Sequence, residues 1–394
     1  MTTALTAATT SALLDVYRRP AMELVRGAGV ELFDADGKAY LDFVAGIAVN
    51  ALGYGDKGLE RAMSEAMDCG LVHVSNLYRS APGEQLAEKL VERTFADAVF
   101  FCNSGAEANE GAFKMARRWA RSVGGNPKHE IVALRGAFHG RLFGTLAATD
   151  RPQYRAPFRP LAGGFSIVER DLDELDAVLN SETVAAVIAE PVQGEGGVRV
   201  LEPKFLQALR EMTRKREILL ILDEIQCGYG RTGMFLAHEH QGIDPDLLTV
   251  AKPMAGGLPM GAILATKAVA EAMQPGDHGT TFGGGPFVAS VALHVFDRLS
   301  APTLLQHVKT NGSWLGKALR KMADSTSRAR AVRGVGYLWG VDVVDPAREV
   351  VARALEAGLL ICSAGEHTVR LLPPLVMTRA DLERGVEILT RAIG

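Results

Sequence analysis

Between residues 84 and 265 the chain alternates short, almost wholly apolar runs with amphipathic stretches, and this pattern constrains the fold more than any other feature. The runs are AVFFC (98–102), EIVAL (130–134), VAAVIAE (184–190), ILLILD (218–223), LLTVAK (247–252) and GAILAT (261–266). A strand wetted on one side alternates apolar and polar positions. Runs apolar at nearly every position instead fit strands covered on both faces of a mostly parallel sheet. Between them, EQLAEKLVERTF (84–95) and KFLQALREMTRKR (204–216) place apolar residues at helical spacing, with charges on the other side. The alternation implies an α/β fold, with a mostly parallel central sheet and helices on both faces. At 394 residues the chain is long enough for that core and a smaller partner lobe.

The flanks read differently. GVELFDADGKAYLDF (29–43) alternates around Asp36-Gly37, a hairpin signal, so residues 1–50 read as an N-terminal arm or small-domain segment. Residues 51–290 form the expected large α/β domain. Residues 291–394, with GVGYLWGVDVV and VRLLPP among closing helices, form a smaller α+β lobe. The opening MTTALTAATTSALL has no basic region and no continuous apolar core, so it reads as a frayed or loosely docked terminus rather than a targeting signal. No apolar run approaches membrane-spanning length. The formal net charge of -3 offers no field for nucleic acid or an anionic membrane. Four cysteines without CxxC or disulfide-framework spacing fit reduced thiols and a cytoplasmic protein.

Three motifs could carry chemistry. SGAEANE (104–110) follows the run AVFFC directly. Ser104 and Glu107 form a capping-box pattern, so a helix should start here. Its free N–H groups and positive dipole end suit a phosphate, and Gly105 and Ala106 leave room for close approach. Asp223 ends an aliphatic run, at the strand mouth where α/β sheets bind ligands. A carboxylate there is poorly solvated and needs a cationic partner, such as a protonated ring nitrogen. Gln226 would point into the same pocket if a tight turn follows Asp223. Lys252 ends another apolar run, before Pro253 and a Gly-rich loop; desolvation would favour the neutral, nucleophilic amine. Each has a plainer reading: an ordinary capped helix, a carboxylate paired with a structural arginine, a lysine reaching solvent. Together, a phosphate cradle, a buried aspartate and a nucleophilic lysine are the parts that pyridoxal phosphate requires.

In these residues and in YLDFVAGIAV, SNLY, FFCNSGAEANE, FHGR, EPVQGEGG, LDEIQCGYGRTG, GGLPMGA, GTTFGG and VRLLPPL, the chain resembles the class III, or ω-amino, aminotransferases of fold type I. The resemblance runs from about Val16 to the C-terminus and implies a role for each matching position. Lys252 would carry the cofactor and shuttle the proton. Asp223 would pair with the pyridine nitrogen and keep the ring an electron sink. Gln226 would contact the ring hydroxyl. Ser104, Gly105 and Ala106 would bind the phosphate, and Phe138 would stack on the ring; without the family pattern, core packing explains Phe138 equally well. Thr281 would reach the phosphate of the neighbouring subunit, with Thr280 near the substrate, making the active site shared and the protein a homodimer.

The resemblance also implies how substrates are held. Arg141 would clamp the α-carboxylate of an ornithine-type donor, and Arg370 that of glutamate or 2-oxoglutarate. Glu195 would pair with Arg370 while the donor is bound. For either arginine alone, a surface salt bridge is the better reading. SNLY (75–78) matches the acetylornithine enzymes of the family better than those for ornithine or 4-aminobutyrate, so Asn76 would touch the acylated end of the donor. The expected donor is N-acetylornithine and the expected acceptor 2-oxoglutarate. Leu142, Gly285 and LGYGDKG depart from the family pattern without removing a catalytic group; they leave open succinylornithine, ornithine, 4-aminobutyrate or a carrier-linked lysine as donor. His238-Glu239-His240 is not a HExxH zinc motif and reads as a solvated helix edge. His139 reads as pocket wall. No G-x-G-x-x-G stands directly after one of these strand runs, which disfavours a dinucleotide enzyme.

Overall fold

The computed structural model describes residues 12–394. Most of the opening run, and with it the expectation of a loosely docked terminus, lies outside the described residues. The first described strands are β1 (Leu24–Ala28), β2 (Glu31–Asp34) and β3 (Ala39–Asp42). β2 and β3 form the hairpin expected around Asp36-Gly37, pairing Leu32 with Tyr40.

The central sheet has seven strands: β4 (Ala98–Cys102), β5 (Glu130–Leu134), β6 (Phe165–Val168), β7 (Val184–Ala189), β10 (Leu219–Asp223), β11 (Leu247–Val250) and β12 (Gly261–Ala265). The short hairpin β8 (Val192–Gln193) and β9 (Arg199–Val200) lies between β7 and β10 in sequence. The order is β4-β12-β11-β10-β7-β5-β6, with β12 antiparallel to both neighbours and the other strands parallel to one another. The expected α/β class with a mostly parallel sheet is therefore what the chain forms.

Period-two alternation explains how both faces are covered. Ile131, Ala133, Ile188, Leu219, Ile221 and Ile263 point to one face, where they share a buried cluster with Ala108, Ala112, Phe113 and Ala116 of the helix Gly105–Gly124. Val132, Leu134, Val187, Leu220, Leu222 and Leu264 point to the other, with Leu206 and Leu209 of the helix Pro203–Lys215, Leu86 and Leu90 of Ala81–Arg93, and Val295 of Pro286–Ser300. Each Val, Leu, Ile or Phe among them contributes roughly 1.5–3 kcal/mol by leaving water.

Three local readings change. AVFFC is not covered on both faces: it is β4, a sheet edge, with four of its five residues half-buried. Lys252 stands past the end of β11, in a 3-10 turn over Lys252–Ala255. His238 is buried, its Nδ1 2.7 Å from Glu224 Oε1, so it is no solvated edge.

The C-terminal part builds a second sheet from β13 (Ala329–Val335), β14 (Leu338–Val343), β16 (Cys362–Ser363) and β17 (Thr368–Leu371). β15 (Leu359–Leu360) leaves that sheet and pairs in parallel with β3, so the first and last segments interlock. The fully buried Arg231, in the loop after β10, donates Nη1 to Tyr337 O (3.3 Å) and to Pro373 O. That clamp ties the central sheet to the segment carrying β17, and so fixes where Arg370 stands.

Candidate active site

The carboxyl ends of β4, β5, β7, β10 and β11 open on one cavity of about 410 Å³. Its wall includes Ser104, Gly105, Ala106, Phe138, Arg141, Glu190, Glu195, Asp223, Gln226 and Lys252. Ser104 and Lys252, 148 positions apart, thus meet because every strand that feeds the cavity runs the same way. This is the place where open α/β sheets bind ligands.

One end of the cavity is the start of the helix Gly105–Gly124. Ser104 caps it, Oγ accepting from Glu107 N at 3.2 Å. The capping-box reading needs one correction: the Glu107 carboxylate accepts from Asn103 N (2.7 Å) and Asn103 Nδ2 (2.9 Å) instead of from Ser104 N. The N–H groups of Gly105 and Ala106 precede any possible intrahelical acceptor, so they are free to take an anion.

Asp223 is 4% exposed, and its surroundings are built around that burial. Oδ2 accepts from Asn109 Nδ2 (2.7 Å) and lies 2.8 Å from His139 Nδ1; Oδ1 accepts from Ile225 N (3.1 Å). The last bond makes the tight turn that aims Gln226 into the cavity. Asn109 is itself fixed, donating to His139 O (2.8 Å) and accepting from Thr249 Oγ1 (2.7 Å). His139 is therefore more than wall: it holds Asp223. Sequence reasoning missed Asn109 and Thr249. The available signal was polar side chains on the buried faces of the helix after Ser104 and of β11.

Lys252 faces Asp223, Glu190, Glu195 and Arg370. Burial of its amine, helped by the Arg370 charge, lowers its pKa to about 8, against the opposing pull of the carboxylates. Glu190, a second unanticipated residue, accepts from Phe138 N at 3.2 Å; burial and then the Asp223 charge hold its carboxyl well above the usual range. Glu195 goes the other way. Burial opposes its ionisation, but the charges of Arg370 and Lys252 overcome this and lower its pKa.

Arg370, on β17, is buried, with Nη1 donating to Glu195 Oε1 (2.5 Å) and Gln226 Oε1 (3.0 Å). Gln226 thus engages an arginine as well as facing the cavity. Arg141 is exposed at the mouth, its guanidinium 3.7 Å from the Tyr154 ring centroid and 5.7 Å from that of Phe138. Arg370 stands behind the lining Glu195 and Gln226, and three more expected residues lie outside this cavity. Asn76 donates Nδ2 to Thr280 O (2.6 Å), Thr280 Oγ1 accepts from Asn103 Nδ2 (3.0 Å), and Thr281 is exposed beside them.

The donor set fits pyridoxal phosphate. Free helix N–H groups suit its phosphate, the Phe138 face its ring, a buried carboxylate its basic ring nitrogen, and a desolvated amine its aldehyde. Because only the neutral amine attacks, apoprotein should take up the cofactor at a rate that climbs as pH rises through about 8. Stopped-flow absorbance across pH would read this. A climb centred near the ordinary lysine value of 10.5 would contradict the reading of Lys252's environment.

Comparison with known proteins agrees with this chemistry. Residues 15–393 match the family described as aminotransferase class-III. The mitochondrial acetylornithine aminotransferase of Alnus glutinosa is 44% identical over 386 residues, spanning 97% of this chain and 85% of that protein. The acetylornithine aminotransferase of Methanocaldococcus jannaschii is 41% identical over 94% of this chain and 93% of its own. Among solved structures, N-acetylornithine aminotransferase from Stenotrophomonas maltophilia superposes with a TM-score of 0.84 at 36% identity, covering 95% of this chain and 96% of that one. The ornithine aminotransferase of Toxoplasma gondii reaches 0.92 at 29% identity, covering 97% and 92%. The chain belongs to the class III aminotransferases and is a pyridoxal-phosphate-dependent transaminase.

Proposed function

We propose that the protein is an acetylornithine aminotransferase of arginine biosynthesis. N2-acetyl-L-ornithine gives up its δ-amino group and leaves as N-acetyl-L-glutamate 5-semialdehyde; 2-oxoglutarate takes the amine and leaves as L-glutamate. The observation that carries the reading is that one site brings together two arginines in different states: Arg141, lining the cavity and stacked on Tyr154 at its mouth, and Arg370, buried behind the lining and covered by Glu195. The relatives named for acetylornithine support the choice of donor.

When bound, pyridoxal phosphate supplies an aldehyde that takes up the amino group and an electron-withdrawing ring that stabilises charge on the neighbouring carbon. Asp223, held by Asn109 and His139, would keep the ring nitrogen protonated. Phe138 would fix the plane of the ring, and Ser104, Gly105 and Ala106 its phosphate. Lys252 would move the proton at the amino-bearing carbon of the substrate. Arg141 would hold the donor's carboxylate at the mouth, leaving the far amine to reach in. While Glu195 neutralises Arg370, the inner end of the cavity accepts a chain without a second carboxylate. When 2-oxoglutarate enters, its carboxylate replaces Glu195 on Arg370.

Thr281 and Asn76 enter this reading through a second copy. Leu77 (85% exposed), Tyr78 (70%) and Phe282 (65%) form an apolar surface beside them, and His73 stacks near Phe282 at 5.3 Å between ring centroids. Such a patch on a folded chain marks a contact surface. We assign it to the homodimer, with Thr281 reaching the phosphate, and Thr280 and Asn76 the substrate, of the neighbouring subunit. Among the described residues no helix is long and apolar enough to cross a membrane. The four free cysteines fit a reducing compartment, and the cytoplasm is our assignment.

Two experiments test these assignments. In half-reactions followed by loss of the enzyme's visible absorbance, acetylornithine should outpace ornithine, succinylornithine, 4-aminobutyrate and lysine; a faster reaction with any of the others would replace the substrate assignment. Sedimentation should give a two-chain mass. Phe282→Glu should lower that mass and weaken cofactor retention together. A monomer that keeps full cofactor affinity would overturn the shared site.

A further inference from the structure

Arg370 sits between two strands, and the sheet register decides which side chains can steady it. On one side it pairs with Gly340, which has none to offer. On the other it pairs with Cys362 of β16. Directly paired residues of an antiparallel sheet point to the same face, so Cys362 is the one cross-strand side chain placed beside the Arg370 stem. The thiol uses both of its capacities there. Its sulfur accepts from Arg370 Nε at 3.4 Å, and it donates to Arg370 O at 3.9 Å. Glu195 and Gln226 both engage Nη1.

These contacts divide the guanidinium into two edges. The Nη edge must change partners during turnover, since Glu195 leaves when a dicarboxylate arrives. The Nε edge need not change. A carboxylate could in principle bind across Nε and Nη2 or across Nη1 and Nη2; with Nε taken, only the second edge is offered. We propose that Cys362 is a positioning residue for the dicarboxylate half of the reaction, holding Arg370 by Nε so that its two terminal nitrogens face the incoming carboxylate after Glu195 has swung away. The inference rests on the assignment of Arg370 to glutamate and 2-oxoglutarate.

The test uses the holoenzyme with Cys362→Ala, Cys362→Val and Cys362→Ser, reading each half-reaction alone together with equilibrium binding of glutarate, an unreactive dicarboxylate. Ala and Val should weaken glutamate and glutarate about tenfold, the loss of one hydrogen bond from a charged donor to a weak acceptor. The acetylornithine half-reaction, in which Glu195 still holds Arg370, should stay within about twofold. Ser, which can both accept and donate, should restore most of the glutarate affinity. Equal losses in both half-reactions, a Ser variant as weak as Ala, or wild-type glutarate affinity in Ala and Val would each overturn the proposal. Arg370→Lys in the same series separates the two claims. If it keeps wild-type glutarate affinity, the assignment of Arg370 itself fails.

Discussion

Asp223 buries a carboxylate at the end of a central strand, and most of the active site follows from making that tolerable. A buried charge without partners costs several kcal/mol, so donors must be brought to it. Asn109 arrives on the helix after β4, His139 on the loop after β5, and Ile225 N by the turn after β10. Each donor drags useful neighbours with it. The Asn109 helix begins with the Ser104 cap and its free N–H groups. The His139 loop carries Phe138 and Arg141. The turn at Ile225 aims Gln226. One electrostatic requirement therefore organises the Ser104 helix start, Phe138 and Arg141 around a single point, and the parallel strands supply the geometry.

The second organising fact is that Arg370 comes from a different sheet. It meets the cavity-lining Glu195 and Gln226 from β17, and the buried Arg231 clamps the adjoining backbone at Tyr337 and Pro373. The cavity is thus closed by two sheets whose relation is fixed by backbone hydrogen bonds to one guanidinium. Opposite electrostatics follow for two nearby glutamates. Glu190, deeply buried beside Asp223, is pushed toward the neutral form; Glu195, against Arg370, is pulled toward the charged one. Only the charged one can serve as a removable counter-ion for Arg370.

Much of this was legible in the sequence, for identifiable reasons. β5, β7, β10, β11 and β12 were readable because burial on both faces leaves few polar positions within them. The hairpin at Asp36-Gly37 was readable from its turn. The edge position of β4 was not, because AVFFC has the same composition as an interior strand while four of its five residues are only half-buried. Lys252, Asp223 and Ser104 stood at motif junctions and could be picked out. Asn109, Thr249 and His139 could not be connected to Asp223, because a hydrogen bond between residues 114 positions apart leaves no local trace. His238 misled for a related reason: three polar residues in a row resemble a surface edge until Glu224 is found beneath them. Tyr154 was invisible because its partner, Arg141, lies across a loop.

The central claim is that Lys252, desolvated in a cavity that also holds Asp223 and the Ser104 helix start, carries pyridoxal phosphate covalently. Absorbance of the purified protein after addition of the cofactor and gel filtration tests it most directly. The wild type should keep a visible band that bleaches on adding amino donor, and Lys252→Ala, tested as a folded protein by circular dichroism, should elute without that band. A colourless wild type, or a Lys252→Ala variant that keeps the wild-type band, would contradict the account.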